Sequence, residues 1–116
     1  MPSGRGHVEI LGVRARVADS FFSRLAGLMF KREPPHGEGL LITRCGAIHT
    51  CFMRFRIDAV FLDDDGGVVK VVKGIPPWRL CVRGGRRARQ VLEIPSRSGV
   101  ASAKDAGQGR DLSIGN

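Results

Sequence analysis

The chain has 116 residues, of which 42% are hydrophobic, and it carries a formal net charge of +8. This length suits one domain, and the apolar fraction is too high for a disordered chain, so we predict a single domain with its own core. No apolar run reaches the roughly 18 residues that a membrane-spanning helix needs, and no signal-peptide pattern opens the chain. The sequence therefore predicts a cytoplasmic protein whose three cysteines are thiols.

Sixteen glycines and six prolines indicate many turns and short elements, which favours a mainly β fold. Residues 1–7 are small, polar and basic, and we expect them to be frayed. Residues 11–17 alternate between apolar and polar side chains, as a half-buried strand does. The next segment has apolar residues at helical spacing, and Asp19 or Ser20 can cap it, so we predict a helix from Ser20 to Met29 that docks on a sheet.

Five further segments complete the predicted domain. Residues 39–43 and 90–95 are expected to be strands, and residues 57–63 a strand that is buried on both faces. The run from Asp63 to Gly67 predicts a tight turn to a partner strand at 68–73, because Asp-Gly and Gly-Gly tolerate positive φ. If residues 45–53 are extended, Cys45, Ala47, His49, Cys51 and Met53 share one face. The polar segment 96–116 offers at most one further strand, around Leu112 and Ile114.

Several of these segments together resemble the domain-of-unknown-function 192 family of small prokaryotic proteins. The matching motifs are RLAGLM at 24–29, IHTCFM at 48–53, IDAVFLD at 57–63 and LEIP at 92–95. The resemblance implies a compact β-sandwich or incomplete barrel with one short α-helix near the N-terminus. It implies no activity, because the family has none to carry over.

The spacing of the cysteines and histidines argues against a metal or a disulfide. Along an extended strand, Cys45 and His49 would be about 13 Å apart, too far to share one zinc ion. Cys45 and Cys51 would be about 20 Å apart, whereas a disulfide needs Cα atoms within about 7 Å. The three aspartates at 63–65 lack the remaining ligands of a calcium loop. We therefore predict neither a metal nor another cofactor.

Two polar residues in the central segment are candidates for chemistry. His49 could activate Cys51, or form an acid–base pair with Asp58; alternatively, it bonds a backbone carbonyl and packs. Asp58 interrupts an apolar strand, so it must be hydrogen-bonded or paired, and Arg54 and Arg56 are near in sequence. We expect a structural pair, or else a site for a small polar ligand formed by His49, Thr50, Arg54, Asp58 and Trp78.

A basic stretch follows. Between Gly66 and Leu92 there is no acidic residue but there are seven cations: Lys70, Lys73, Arg79, Arg83, Arg86, Arg87 and Arg89. Trp78 lies among them and could stack on a base. The stretch is either an anion or nucleic-acid surface or a solvated face, because charge by itself names no partner.

Three classes of function follow from these features. The favoured one is a non-enzymatic accessory or binding domain with a ligand or protein site near Ile48–Asp58. The second is an enzyme that uses His49 and Asp58, and the third is an anion or nucleic-acid binder that uses Lys70–Arg89. The sequence names neither the ligand nor the partner.

Overall fold

The fold is mainly β, as predicted. The computed structural model describes residues 6–96. In chain order the elements are β1 (His7–Ile10), β2 (Val13–Ala18), α1 (Phe21–Ala26), β3 (Glu38–Ile42), β4 (Ala47–Ile48), β5 (Ile57–Leu62), β6 (Val68–Ile75), β7 (Val82–Arg83) and β8 (Gln90–Pro95). The short helix near the N-terminus is likewise confirmed.

Six of the strands form one mixed sheet in the order β1-β2-β3-β8-β5-β6, and β4 pairs with β7 in a separate two-stranded sheet. β2 and β3 run parallel, and the other neighbours are antiparallel. The large sheet stays open, since β1 and β6 are its two edges. β8, from the end of the described chain, lies between β3 and β5 and joins the two halves of the sheet.

The central strands of the sheet are apolar in successive positions, which is typical of strands that are buried on both faces. All six residues of β5 are buried. Ile57, Ala59 and Phe61 join one core cluster with Leu28 and Met53 from outside the sheet. Val60 and Leu62 join a second cluster with residues of β2, β3, β6 and β8. The doubly buried strand predicted at 57–63 is thus confirmed.

Two of the turns between strands have the backbone conformation or hydrogen bonds that their residue types favour. Leu11 and Gly12 both have positive φ (54° and 80°) and form the two-residue loop between β1 and β2, as a type I′ hairpin demands. The turn from Asp63 to Gly67 is the predicted one. The Asp63 carboxylate closes it by accepting from the N–H groups of Asp65 (2.9 Å) and Gly67 (2.8 Å).

Three local predictions are corrected. β1 pairs from His7 onward, a strand that the sequence did not indicate. The helix ends at Ala26 and not at Met29, because Gly27 has φ 52° and leaves the helical conformation. Residues 45–53 are not one extended strand: only Ala47–Ile48 pairs, and a turn closes where the Met53 N–H donates to the Thr50 carbonyl (3.2 Å).

The predicted strand around Leu112 and Ile114, like residues 1–5, lies outside the described range. Between residues 6 and 96, no helix has the length and apolar character that crossing a membrane requires.

Candidate functional site

Glu93 is an acidic residue that is buried near the centre of the sheet. It lies on β8, opposite Leu40 of β3 and Ala59 of β5, and it is 1% exposed. Side chains alternate along a strand, so Glu93 points to the same face as Val91, and it lines a cavity together with Arg24 and Leu25 of α1. Gly27 lies next to it, since a Cβ there would be in ordinary contact with Glu93 Oε1 at 3.4 Å.

The environment of Glu93 favours its neutral form. Burial raises the pKa of its carboxyl to about 8, because the charged form loses its hydration. Oε1 is buried and has no hydrogen-bond partner within residues 6–96. A buried polar atom without a partner costs on the order of 1–3 kcal/mol, so the fold retains Glu93 at the expense of stability.

Glu93 lines a cavity of about 370 Å³, the Glu93 pocket, between α1, the end of β3 and the 45–49 and 80–81 segments. Its walls are mainly aliphatic, formed by Leu25, Ile42, Ala47, Ile48 and Leu80. Its polar lining comes from Arg24, Arg44, Cys45, His49 and Cys81. The cavity is open to solvent, with Leu25 and Leu80 exposed in its wall, and its volume and mainly apolar lining lie within the range of small-molecule sites.

Cys45 stands in this pocket as a thiol. Burial raises its pKa and the nearby Glu93 raises it further, whereas a main-chain hydrogen bond with Ala47 and the positive charge of Arg24 oppose the rise. Its Sγ–H donates to the Ala47 carbonyl at 2.9 Å. A cysteine with a raised pKa is a poor nucleophile, because the thiolate is the reactive species.

His49 also lines the pocket, but both of its ring nitrogens are bonded to the main chain. Nδ1 accepts from the Cys51 N–H at 3.0 Å, which leaves the proton on Nε2 to donate to the Leu25 carbonyl at 3.1 Å. His49 therefore ties the loop after β4 to the last turn of α1, as the structural alternative predicted. Cys51 bonds elsewhere, through Sγ to the Arg79 carbonyl (3.9 Å).

Thr50 is a structural junction. It is fully buried, and its hydroxyl donates to the Pro76 carbonyl (2.7 Å) while accepting from the Arg79 N–H (2.9 Å). Its main chain bonds Trp78 and Arg79. These bonds fasten the loop after β4 to the loop after β6, so the hydroxyl is already fully used.

Asp58 satisfies a β-bulge. The β5–β6 register shifts between Ile57 and Ala59, and opposite this point Gly74 has φ 65°. Asp58 Oδ1 accepts from the Gly74 N–H at 2.8 Å and from the Ser96 hydroxyl at 3.2 Å. Arg56 donates to the carbonyl of the same Gly74 at 2.9 Å. Asp58 and Arg56 thus bond the two peptide groups that flank the Cα atom of Gly74.

The five residues predicted to share a ligand site are consequently spread over several places. His49 lies in the Glu93 pocket, Thr50 in the buried junction and Asp58 at the bulge. Arg54 and Trp78 are exposed on the surface beside Phe52. The Glu93 pocket overlaps the predicted Ile48–Asp58 region at Ile48 and His49.

The cations of the basic stretch lie on several elements. Lys70 donates to the Arg83 carbonyl (3.0 Å), and Arg89 donates to the carbonyls of Arg86 and Ala88. Arg79 follows the end of β6 that pairs with Ile57. The turn with Arg86 and Arg87 lies at the other end of β5, where the Arg89 N–H bonds the Leu62 carbonyl (2.7 Å). Lys73, Arg83, Arg86 and Arg87 are exposed.

Because segment 45–53 is bent, its cysteines and its histidine are not spaced as they would be along a straight strand. Cys45 and His49 line one cavity, so the separation calculated for a straight strand does not apply. Even so, in the described part of the chain no three His, Cys, Asp or Glu side chains are grouped so as to hold a metal ion.

Sequence reasoning did not select Glu93, although a signal was present. In QVLEIP the glutamate interrupts an apolar strand, as Asp58 does in IDAVFLD. A strand that is apolar in successive positions is buried on both faces, so a carboxylate within it is buried too.

Fold and site together define a small domain with an open mixed sheet and a pocket above its central strand. A family model for DUF192, described as "Uncharacterized ACR", matches residues 5–114. A UPF0127 protein of Pyrococcus horikoshii is 42% identical over 84 residues, which cover 69% of this chain and 70% of the relative. A UPF0127 protein of Pyrococcus furiosus is 37% identical over 87 residues, covering 72% of each chain. The chain belongs to the DUF192 family, as its motifs predicted.

Two solved structures share the fold. A protein of unknown function from Novosphingobium aromaticivorans superposes with a TM-score of 0.69 at 22% identity, over 78% of this chain and 67% of that one. A putative transcription regulator from Sinorhizobium meliloti superposes with a TM-score of 0.69 at 20% identity, over 79% and 74%. At these identities the likeness establishes the fold alone.

Proposed function

We propose that this protein is a binding domain that holds a small organic molecule in the Glu93 pocket. The observation that carries the proposal is the buried carboxyl of Glu93, which lines a cavity and has an oxygen without a hydrogen-bond partner within residues 6–96. A buried polar group of this kind is costly to maintain. A ligand that donates a hydrogen bond to it offsets that cost.

The lining of the pocket defines the chemistry of the ligand. The neutral carboxyl of Glu93 suits an amide or weakly basic N–H group, which donates to a carboxyl oxygen. The aliphatic walls suit an apolar body. Arg24 and Arg44 add two positive charges to the lining, which favour an anionic or strongly polar end. The ligand class is therefore a small amphiphilic molecule with an N–H head group.

The state of the other polar groups supports binding over catalysis. Cys45 is held as a thiol by its raised pKa. Both ring nitrogens of His49 are occupied by main-chain groups, so this imidazole has no free nitrogen to act as a general base. An acid–base pair of His49 with Asp58 receives no support either, because Asp58 bonds Gly74 and Ser96.

The test is amide chemical-shift mapping of the labelled protein against a panel of small amides, amines and amino acids with aliphatic groups. We expect saturable shifts clustered at Cys45, Ile48, His49, Leu80 and Glu93. Glu93→Met, which removes both carboxyl oxygens at similar volume, should weaken the binding of the same compounds about tenfold, since the ligand N–H group loses its acceptor.

Glu9→Met is the matched control, because Glu9 is exposed on edge strand β1 and its replacement should leave affinity unchanged. Equal affinity of the Glu93→Met protein and the wild type would contradict the proposal. So would an absence of saturable shifts across the panel, or shifts that cluster away from the Glu93 pocket.

A further inference from the structure

We propose that three exposed aromatic side chains form a second site, which binds single-stranded nucleic acid. These are Phe30, Phe52 and Trp78, the aromatic cluster. They are 64%, 45% and 59% exposed, and their rings are in mutual contact. The Phe30 and Phe52 centroids are 5.0 Å apart, and those of Phe52 and Trp78 are 4.7 Å apart.

The backbone has an unusual conformation at each of these three residues. All three have positive φ: 59° at Phe30, 63° at Phe52 and 71° at Trp78. For a residue with a Cβ this conformation costs about 1–2 kcal/mol, and it persists where the surrounding structure enforces it. Here the Phe30 N–H donates to the Phe52 carbonyl (3.0 Å), and the Trp78 N–H donates to the carbonyl of buried Thr50 (2.9 Å).

Each of the three loops that carry the cluster also carries an exposed cation within two residues of its ring. Lys31 and Arg32 follow Phe30, Arg54 follows Phe52 by two positions, and Arg79 follows Trp78. The nearest acid in sequence is Glu33, three residues after Phe30. Exposed rings flanked by cations are the pattern of single-strand binding, in which bases stack on the rings and phosphates contact the cations.

The inclination of the rings favours single-stranded nucleic acid over two other partners, an extended glycan and a nucleic-acid duplex. Neighbouring rings are inclined by 32° and 61°, so they form no flat platform for the face of an extended glycan. Successive bases of a single strand can turn independently about the backbone and match inclined rings one at a time. A duplex keeps its base faces stacked on each other, where they are not available to the rings.

The protein's single tryptophan is Trp78, so its intrinsic fluorescence reports directly on the cluster. Titration with an oligothymidylate of about 12 nucleotides, within the range of single-strand site sizes, should quench this fluorescence saturably. If the four cations each contact one phosphate, affinity should fall roughly 50-fold between about 50 and 200 mM salt. A duplex of the same length should bind more weakly.

Anisotropy of an end-labelled oligonucleotide then compares variants whose melting temperatures match the wild type. Trp78→Leu, or Phe30→Leu if Trp78→Leu does not fold, should weaken binding at least about fivefold because a stacked base is lost. Arg54→Gln should weaken it roughly fivefold at about 0.1 M salt. Arg87→Gln removes the same charge from the turn at the other end of β5 and should have a smaller effect.

Equal losses in Arg54→Gln and Arg87→Gln, with unchanged affinity in the aromatic variants, would overturn the proposal in favour of general charge attraction. No quenching at low salt, or tighter binding of an acidic peptide or a glycan, would also overturn it. The Glu93 pocket is untouched by these variants, so this result is independent of the pocket's ligand.

Discussion

At the scale of single residues, the protein keeps a carboxyl where a hydrophobic side chain would be more stabilising. Glu93 occupies the middle of the central strand, with Leu40 and Ala59 as its neighbours across the sheet. Its pKa of about 8 means that the folded chain holds a proton that the unfolded chain releases near its ordinary pKa of about 4.3. Folding is therefore linked to proton uptake.

This linkage predicts how stability changes with pH. Between about pH 5 and pH 8, the folded state keeps the proton on Glu93 and the unfolded state does not, so the free energy of unfolding should fall as pH rises, on the order of 1 kcal/mol per pH unit. In the Glu93→Gln protein, the free energy of unfolding should lack this decrease with rising pH. Urea denaturation of both proteins across this range measures the difference.

Glu93→Gln leaves the other groups that face the pocket in place, namely Arg24, Arg44, Cys45, His49 and Cys81, so the comparison tests the Glu93 carboxyl itself. Parallel slopes for the wild type and Glu93→Gln would show that Glu93 is ionised in the folded state and that its burial does not raise its pKa.

At the scale of elements, the β5–β6 pair has a bulge at Asp58, the first of its two register shifts. Gly74 adopts a positive φ opposite Asp58, which frees its N–H from the regular ladder. The carboxylate of Asp58 accepts that N–H, and Arg56 donates to the carbonyl. The polar Asp58 within the apolar strand β5 is thus explained by the backbone N–H group that its carboxyl accepts.

We predict that Asp58→Asn lowers the free energy of unfolding by about 1–2 kcal/mol, because a hydrogen bond to a charged acceptor is replaced by a neutral one. Asp58→Ala should cost more, since the Gly74 N–H then loses its acceptor. Asp64→Asn, in the exposed turn, is the matched control and should stay within about 0.5 kcal/mol. An unchanged melting temperature for Asp58→Asn would show that the carboxylate is not needed at the bulge.

At the scale of the whole molecule, stability is concentrated where β3, β8 and β5 meet. Five of the six residues of β8 are buried, and this strand bonds two neighbours. β1 is an edge strand with three of four residues exposed. Local opening should therefore begin at β1 and reach β8 only on global unfolding.

Native-state hydrogen exchange tests this order. We expect the bonded amides of β1 to exchange at least roughly 100-fold faster than those of β8. β6, the other edge, should lie between them because Val71 and Ile75 are buried. Exchange from β8 as fast as from β1 would mean that the sheet opens as one unit.

Local sequence chemistry was sufficient to predict much of the fold. The doubly apolar run at 57–62, the Asp-Gly turn and the Ser20 cap each follow from interactions within a few residues. The predictions that failed depended on distant contacts. Residues 45–53 alternate like a strand, but their partners are the 76–83 loop and α1, and contacts with these segments bend the chain at Phe52. β1 (HVEI) is short and mostly exposed, and it is held in place by its antiparallel pairing with β2.

For the site residues, too, some properties follow from the local sequence and others from distant contacts. The sequence by itself indicated that Asp58 would be buried, because it interrupts an apolar strand, and it determined the family through its motifs; the same signal was present at Glu93 but was not used. The tertiary structure decided what these residues do. It placed Gly27 and the cavity over Glu93, a bulge beside Asp58, and three inclined rings side by side from loops far apart in the chain. Those contacts join residues dozens of positions apart, and local spacing carries no information about them.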